Sequence, residues 1–389
     1  MWTDLSTLSP GWLGLMALVA AVYAVLSRRL RPLWLGTSCL AFLLGTSPQS
    51  AIIVVAMGAV CWMAGQAQRH RGATVTAICV TIVAILASFK VAAQSAASSD
   101  VGQWVLPLGI SYYSFRCIHY LLERYKGSLP PHTLAEFSAY LLFLPTFAAG
   151  PIHRFAEFHR DYVAAGSDAR SVSAGLERIV YGYVKIVVLG NFLVGAVLVP
   201  QAAALGGDSP WAAAYLATIA QGLNAYLQFA GYSDVAIGCA LLMGFRVMEN
   251  FQAPFLAANI AEFWRRWHIS LTSWCRDYVY TTIVSVLRRP AVAALVTMLV
   301  VGLWHEVSLR YVLWGLWHGV GVAVWQGYRR MVESGAIGGR GAVLPSWMSQ
   351  SLGVLLTFHY VMLSFVLLAD GSLAESMGTL QLLLTGRGP

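Results

Sequence analysis

Two short stretches carry side chains capable of acid/base work in an otherwise apolar chain. Gly302-Leu-Trp-His-Glu ends a long apolar run and places His305 and Glu306 there, with Trp304 alongside. Ionisable groups at membrane depth are costly and by default mark a functional site, which makes His305 the strongest single candidate. The second stretch, Glu262-Phe-Trp-Arg-Arg-Trp-His-Ile-Ser, gathers two arginines, two tryptophans and a histidine. On a helix Glu262 and Arg266 are i, i+4 partners, and Trp264 shares a face with His268. Residue types alone also fit an interfacial belt, with Trp264 and Trp267 at headgroup depth and Arg265 and Arg266 snorkelling to water. A third histidine, His318, follows His305 by 13 residues. That is about 220° around a continuous helix, so both can face one cavity only if the helix breaks. Gly315 and Gly319, at i, i+4, favour close helix packing and a structural reading of His318.

Other chemistries lack their residues. There is no GxSxG elbow, no Walker or GxGxxG loop, and His305-Glu306 continues as Val-Ser-Leu rather than into a zinc-binding HExxH helix. The six cysteines, Cys39, Cys61, Cys79, Cys117, Cys239 and Cys275, form no CxxC pair. They read as packing residues, and no metal site is expected.

The elements that must position these groups are membrane helices. Of 389 residues, 58% are hydrophobic and 11% charged, against about 25% charged in an ordinary soluble domain. Runs such as AIIVVAMGAVCWMAG and ATVTAICVTIVAILASF are apolar all round, without the strict alternation of a membrane β-strand. Candidate spans lie near 11–26, 33–47, 51–67, 73–90, 104–122, 176–200, 211–230, 233–247, 291–309, 311–327 and 350–369, with extra apolar pieces at 134–150 and 278–287. Several are shorter than the roughly 20 residues a perpendicular span needs, so tilted or re-entrant segments are expected.

Arg28/Arg29/Arg31, Arg69/His70/Arg71 and Arg124/Lys126 fall in alternate loops and place those loops on the cytoplasmic side, with the N-terminus outward. The same reading puts 152–170 and 262–277 at the cytoplasmic face. The net charge of +8 sits in these short clusters rather than in a stripe, so nucleic-acid binding is not expected. The first apolar run reaches Arg28 without a small-residue cleavage site and reads as a span. Gln94 to Gly102, Gly206 to Pro210 and the glycine-rich Gly335 to Pro345 read as loops within one membrane domain covering 1–389.

The run Leu227 to Tyr280, with its ENFQAPF and EFWRRWHISLTSWCRDYVY segments, resembles the signature region of the bacterial membrane-bound O-acyltransferases. So do GISYYSFR and LLFLPTFAAGPIHRFAEFHRDY within Pro107 to Tyr162, and GLWHE with WGLWHG; together they cover about 107–320. The first run is similar to proteins of alginate O-acetylation, the second more to those that D-alanylate teichoic acid. The resemblance implies an all-α polytopic fold, a ring of roughly 11 tilted helices with re-entrant segments around a thin core and a central tunnel. It implies that His305 is the essential histidine and His268 the second motif position. This chain has Glu306 where the bacterial polysaccharide branch usually has glycine, and Leu309 and Arg310 where asparagine or an aromatic is usual.

A thioester donor is implied as co-substrate, acetyl-CoA or a phosphopantetheine acyl-carrier protein, with no tightly bound cofactor. His305 is then expected to act as general base on an acceptor hydroxyl, with burial keeping it neutral, and His268 to donate to the thioester carbonyl or oxyanion. Trp264, Arg265, Arg266, Trp267, Arg154 and Arg160 are expected at the donor's landing zone, and Trp304, Glu306 and His318 in support. The implied partners are membrane lipid, an envelope polysaccharide acceptor and an extracytoplasmic protein that completes the transfer, in the inner membrane. A transporter or flippase, or a non-enzymatic subunit of a polymer export complex, also tolerates broken helices and buried polar groups. The first is disfavoured by the absence of an inverted repeat and by the paired histidine motifs. Dispensability of His305 in cells would favour the second.

Overall fold

The computed structural model describes residues 9–66, 71–97, 106–164, 166–336, 345–369 and 371–387. Arg69 and His70, residues 98–102 of the first expected loop and most of the Gly335 to Pro345 loop lie outside them. Helix is the only regular structure among the described residues. The backbone falls into two compact units, residues 1–184 with 231–249, and residues 185–230 with 250–389.

The first unit holds α1 (Pro10–Val25), α2 (Arg31–Thr46), α3 (Pro48–Gln66), α4 (Arg71–Ala97), α5 (Ile110–Lys126), α6 (Leu134–Leu141), α7 (Phe155–Ala164) and α8 (Ala169–Tyr183). Its centre is aromatic: Tyr120, Phe137, Tyr140, Phe143, Phe155 and Phe158 are all buried. Among them the guanidinium of Arg116 is fully buried. It donates to the carbonyls of Tyr140 (3.2 Å), Leu141 (2.9 Å) and Thr146 and to Thr146 Oγ1 (2.7 Å). These are carbonyls that the end of a short helix leaves without intrahelical donors. Thr133 and Glu136 form a reciprocal cap that starts α6, and Asp168 caps α8.

The second unit holds α9 (Val199–Ala204), α11 (Ile260–Arg266), α12 (Ile269–Cys275), α13 (Thr281–Leu287), α14 (Pro290–His305), α15 (Leu309–Glu333), α16 (Ser346–Phe365) and α17 (Leu373–Thr385). Between α8 and α9 the helix continues with wider, π-type winding over Val184–Leu198. One helix, α10 (Pro210–Leu242), contributes residues to each unit.

Among the described residues, four helical stretches are long and apolar enough to cross a membrane: Pro48–Gln66, Gly72–Gln94, Ala169–Ala204 and Ser346–Leu368. Gly11–Val25, Leu134–Thr146 and Pro290–His305 are apolar but shorter, as the sequence suggests. Large apolar side chains such as Ile52, Phe192 and Leu356 stand exposed on these stretches, the pattern of helices whose outer face meets lipid. The separate spans expected at 211–230 and 233–247 are one helix of 33 residues. Glycines of α8 let that helix approach it closely. A Cβ on Gly182 of α8 would lie 2.7 Å from the Gly231 carbonyl oxygen, and one on Gly175 2.8 Å from that of Gly238. Arg178, on the same side of α8, donates to Asp234 (2.7 Å) and pairs with Glu249.

Candidate active site

The candidate residues of the second unit are set by two breaks in helical winding. The first separates α11 from α12. Asn259 caps α11 by accepting from the Glu262 amide at 2.9 Å, and Glu262 in turn pairs with Arg266 at 2.6 Å, as the i, i+4 spacing indicates. The helix then stops. Trp267 is extended and His268 takes a left-handed conformation with φ +44° before α12 begins.

The second break follows His305, the last residue of α14. Glu306 is extended, and Ser308 caps α15 three residues before Tyr311. α14 and α15 thus form a hairpin, and its helices approach closely at glycines. A Cβ on Gly315 would sit 2.7 Å from the Met298 carbonyl oxygen, and one on Gly319 3.0 Å from Leu295 Cα. Because the chain reverses, the 220° separation of a continuous helix does not apply, and His305 and His318 line the same cavity.

That cavity is about 170 Å³. Phe263, Trp264 and Trp267 of the α11 stretch, Tyr311 and Trp314 of α15, and Phe365 of α16 supply much of its wall. The Trp314 ring lies 5.6 Å from His305 and 4.7 Å from His318, both edge-on. Trp304 is 4.6 Å from His305 and 6.0 Å from His268. His305 itself is exposed, so the burial expected to neutralise it is not its environment. Glu306 is half-buried, and its amide closes the end of α14 on the Gly302 carbonyl at 3.1 Å.

Hydrogen bonds assign the imidazole protons of the other two histidines. Ser364 donates its single hydroxyl proton to the Val361 carbonyl (2.6 Å), so the 3.0 Å contact from His318 Nε2 must be a donation to Ser364 Oγ. His318 Nδ1 is left as a lone pair. It is buried and unmatched among the described residues, as are the indole N–H groups of Trp264 and Trp314 on the same wall. His268 is 1% exposed. Its Nδ1 lies 3.0 Å from Asn250 Oδ1, and its ring stands edge-on to Phe229 at 4.6 Å. Burial, with a smaller contribution from His305, holds its pKa well below the ordinary imidazole value, so the ring is neutral.

Of the expected donor-binding residues, Trp264 and Trp267 are cavity wall, Arg265 is exposed, and Arg266 is engaged by Glu262. Arg154 and Arg160 belong to the first unit, where Arg160 pairs with Asp161 at 3.0 Å. No group of three or more metal-ligating side chains occurs among the described residues. Sequence reasoning passed over Asn250, Trp314 and Ser364. A lone asparagine beside Phe251 in the ENFQAPF segment is the available signal for the first, and the WGLWHG motif for the second; Ser364 carries none.

Comparison with known proteins identifies the family. Residues 51–367 match the family model for membrane-bound O-acyltransferases. A probable alginate O-acetylase from Pseudomonas fluorescens is 38% identical over 224 residues, covering 57% of this chain and 45% of that protein. A teichoic acid D-alanyltransferase from Streptococcus thermophilus is 33% identical over 281 residues, covering 67% of each. A peptidoglycan O-acetyltransferase from Helicobacter pylori is 26% identical over 312 residues, 71% of this chain and 56% of that one. The match thus spans about half the length of the alginate relatives. Since the matched region takes in both histidine motifs and most of the described helices, the chain belongs to the membrane-bound O-acyltransferase family.

Proposed function

We propose that this protein transfers a small acyl group, acetyl or D-alanyl, from a cytosolic thioester to a hydroxyl on an extracytoplasmic envelope polysaccharide or partner protein. The observation that carries the reading is His305 at the edge of a small aromatic cavity, in a chain whose relatives are named for O-acetyl and D-alanyl transfer. A cavity of about 150 Å³ accommodates one benzene, so the 170 Å³ here suits an acyl group of a few heavy atoms and not a long chain. The unmatched indole N–H groups supply donors for its carbonyl.

A thioester is already activated, so the protein's task is to deprotonate, align and steady charge. His305 takes the acceptor hydroxyl proton as the oxygen attacks the thioester carbon. The tetrahedral intermediate collapses with loss of thiolate, and the imidazolium returns its proton to that sulfur. Arg265 meets the donor's phosphates at the cytosolic face. A ring of about 11 tilted helices crossed by a tunnel, within one domain of the cytoplasmic membrane, belongs to the same reading.

The test is acyl transfer by protein reconstituted in proteoliposomes, supplied in turn with acetyl-CoA and with an aminoacylated carrier protein. General base catalysis contributes about 10² to 10⁴ in rate, so His305→Ala should lose that much while remaining folded and inserted. Undiminished transfer by the variant would remove His305 from the mechanism, and acyl groups moved but never found on an acceptor would indicate transport.

A further inference from the structure

We propose that Asn250 is a positioning residue that fixes the tautomer of His268, so that His268 offers a bound substrate a hydrogen-bond acceptor. The amide oxygen of Asn250 receives three contacts: the Ser270 main-chain N–H (3.3 Å), the Ser270 hydroxyl (2.9 Å) and His268 Nδ1 (3.0 Å). A main-chain N–H can only donate, so the atom facing it is the amide oxygen and not the nitrogen. His268 Nδ1 must therefore carry the ring's proton. A neutral imidazole has one N–H, and Nε2 is consequently a lone pair.

The backbone holds this arrangement from both sides. The Asn250 carbonyl accepts from the Ile269 amide at 2.9 Å, and the Gln252 amide donates to the Arg266 carbonyl at 3.0 Å. His268 turns between them in its left-handed conformation. Its Nε2 is buried and has no partner among the described residues. A lone pair there repels an oxyanion or a carbonyl oxygen and attracts a proton-bearing group. This replaces the donor role expected from the sequence. Resting on the proposed acyl transfer, the group it meets is a donor N–H or O–H, carried either by the acceptor polymer or by the amide-containing arm of the thioester.

Two readouts test the claim. Nitrogen-15-labelled histidine in bilayer-reconstituted protein, with His268 assigned by difference from His268→Asn, should show a protonated Nδ1 and a lone-pair Nε2. Asn250→Leu should abolish that preference and Asn250→Asp should retain it. In transfer assays Asn250→Leu should lose about 10- to 100-fold, with partial rescue by Asn250→Asp and an upward shift of the acid limb of its pH profile. A raised KM for the acceptor in Asn250→Leu identifies the polymer's hydroxyl as the partner, and a raised KM for the donor identifies the thioester arm. Ser270→Ala, which removes one of three contacts, gives a milder variant should Asn250→Leu fail to fold. A proton on Nε2 in the unmodified protein, or a tautomer unaltered by Asn250→Leu, overturns the proposal. The spectroscopic result stands even if no acyl transfer is found, so the two readings fail separately.

Discussion

Replacing Gly315 by alanine tests whether the α14–α15 hairpin is as close as its geometry states. The added Cβ would lie 2.7 Å from the Met298 carbonyl oxygen and 3.2 Å from Leu299 Cα, both backbone atoms that cannot rotate away. Comfortable carbon–oxygen contact begins near 3.3 Å, so the helices must part by about 0.6 Å. Alanine also improves helix propensity by about 1 kcal/mol over glycine, which partly hides the strain. Gly327, in the same helix with nothing within 4 Å of its would-be Cβ, gains the propensity term alone. The difference between Gly315→Ala and Gly327→Ala therefore isolates the cost of overpacking, about 1–3 kcal/mol. Thermal denaturation of both variants in the same detergent measures it. A displacement of His318 relative to His305 should also reduce acyl transfer in the Gly315 variant only. Equal stability and equal activity of the two variants would refute the close approach and the hairpin geometry of the cavity.

Further outcomes follow from other parts of the molecule. Arg116→Met should cost several kcal/mol, because it removes the guanidinium hydrogen bonds to the buried carbonyls of Tyr140, Leu141 and Thr146, each worth about 1–3 kcal/mol; limited proteolysis of the 134–155 region reports it. The folded pKa of His268 is depressed below the roughly 6.5 of a free imidazole. Stability from this group is then full above that value and lost as pH falls through it toward the folded pKa, so acid-induced unfolding should be less steep in His268→Asn. Arg265 is exposed, so Arg265→Gln should weaken donor affinity and flatten its dependence on salt; a salt response equal to that of the parent would exclude it from phosphate binding.

Much of this could be read from residue patterns. Helical, polytopic character follows from charge scarcity and apolar run length, and the two histidine motifs stand out because polar groups are rare beside them. What escaped the sequence depends on contacts between distant segments. The stretches at 211–230 and 233–247 read as two spans and form one helix, whose later turns pack on α8 at Gly175 and Gly182, a contact no local pattern marks. His318 faces the same cavity as His305 because Glu306 to Ser308 reverse the chain, and helical phase says nothing across a reversal. Asn250 lies 18 residues from the histidine it orients, and no periodicity links them.

The left-handed turn at His268 bears on how any replacement there should be interpreted. A φ of +44° is one that asparagine and glycine adopt with little penalty and most other side chains do not. An alanine at 268 would thus report lost imidazole chemistry and added backbone strain as one number. Asparagine keeps the turn and removes the ring, and the gap between the two variants measures how much of the loss came from the chain's path alone.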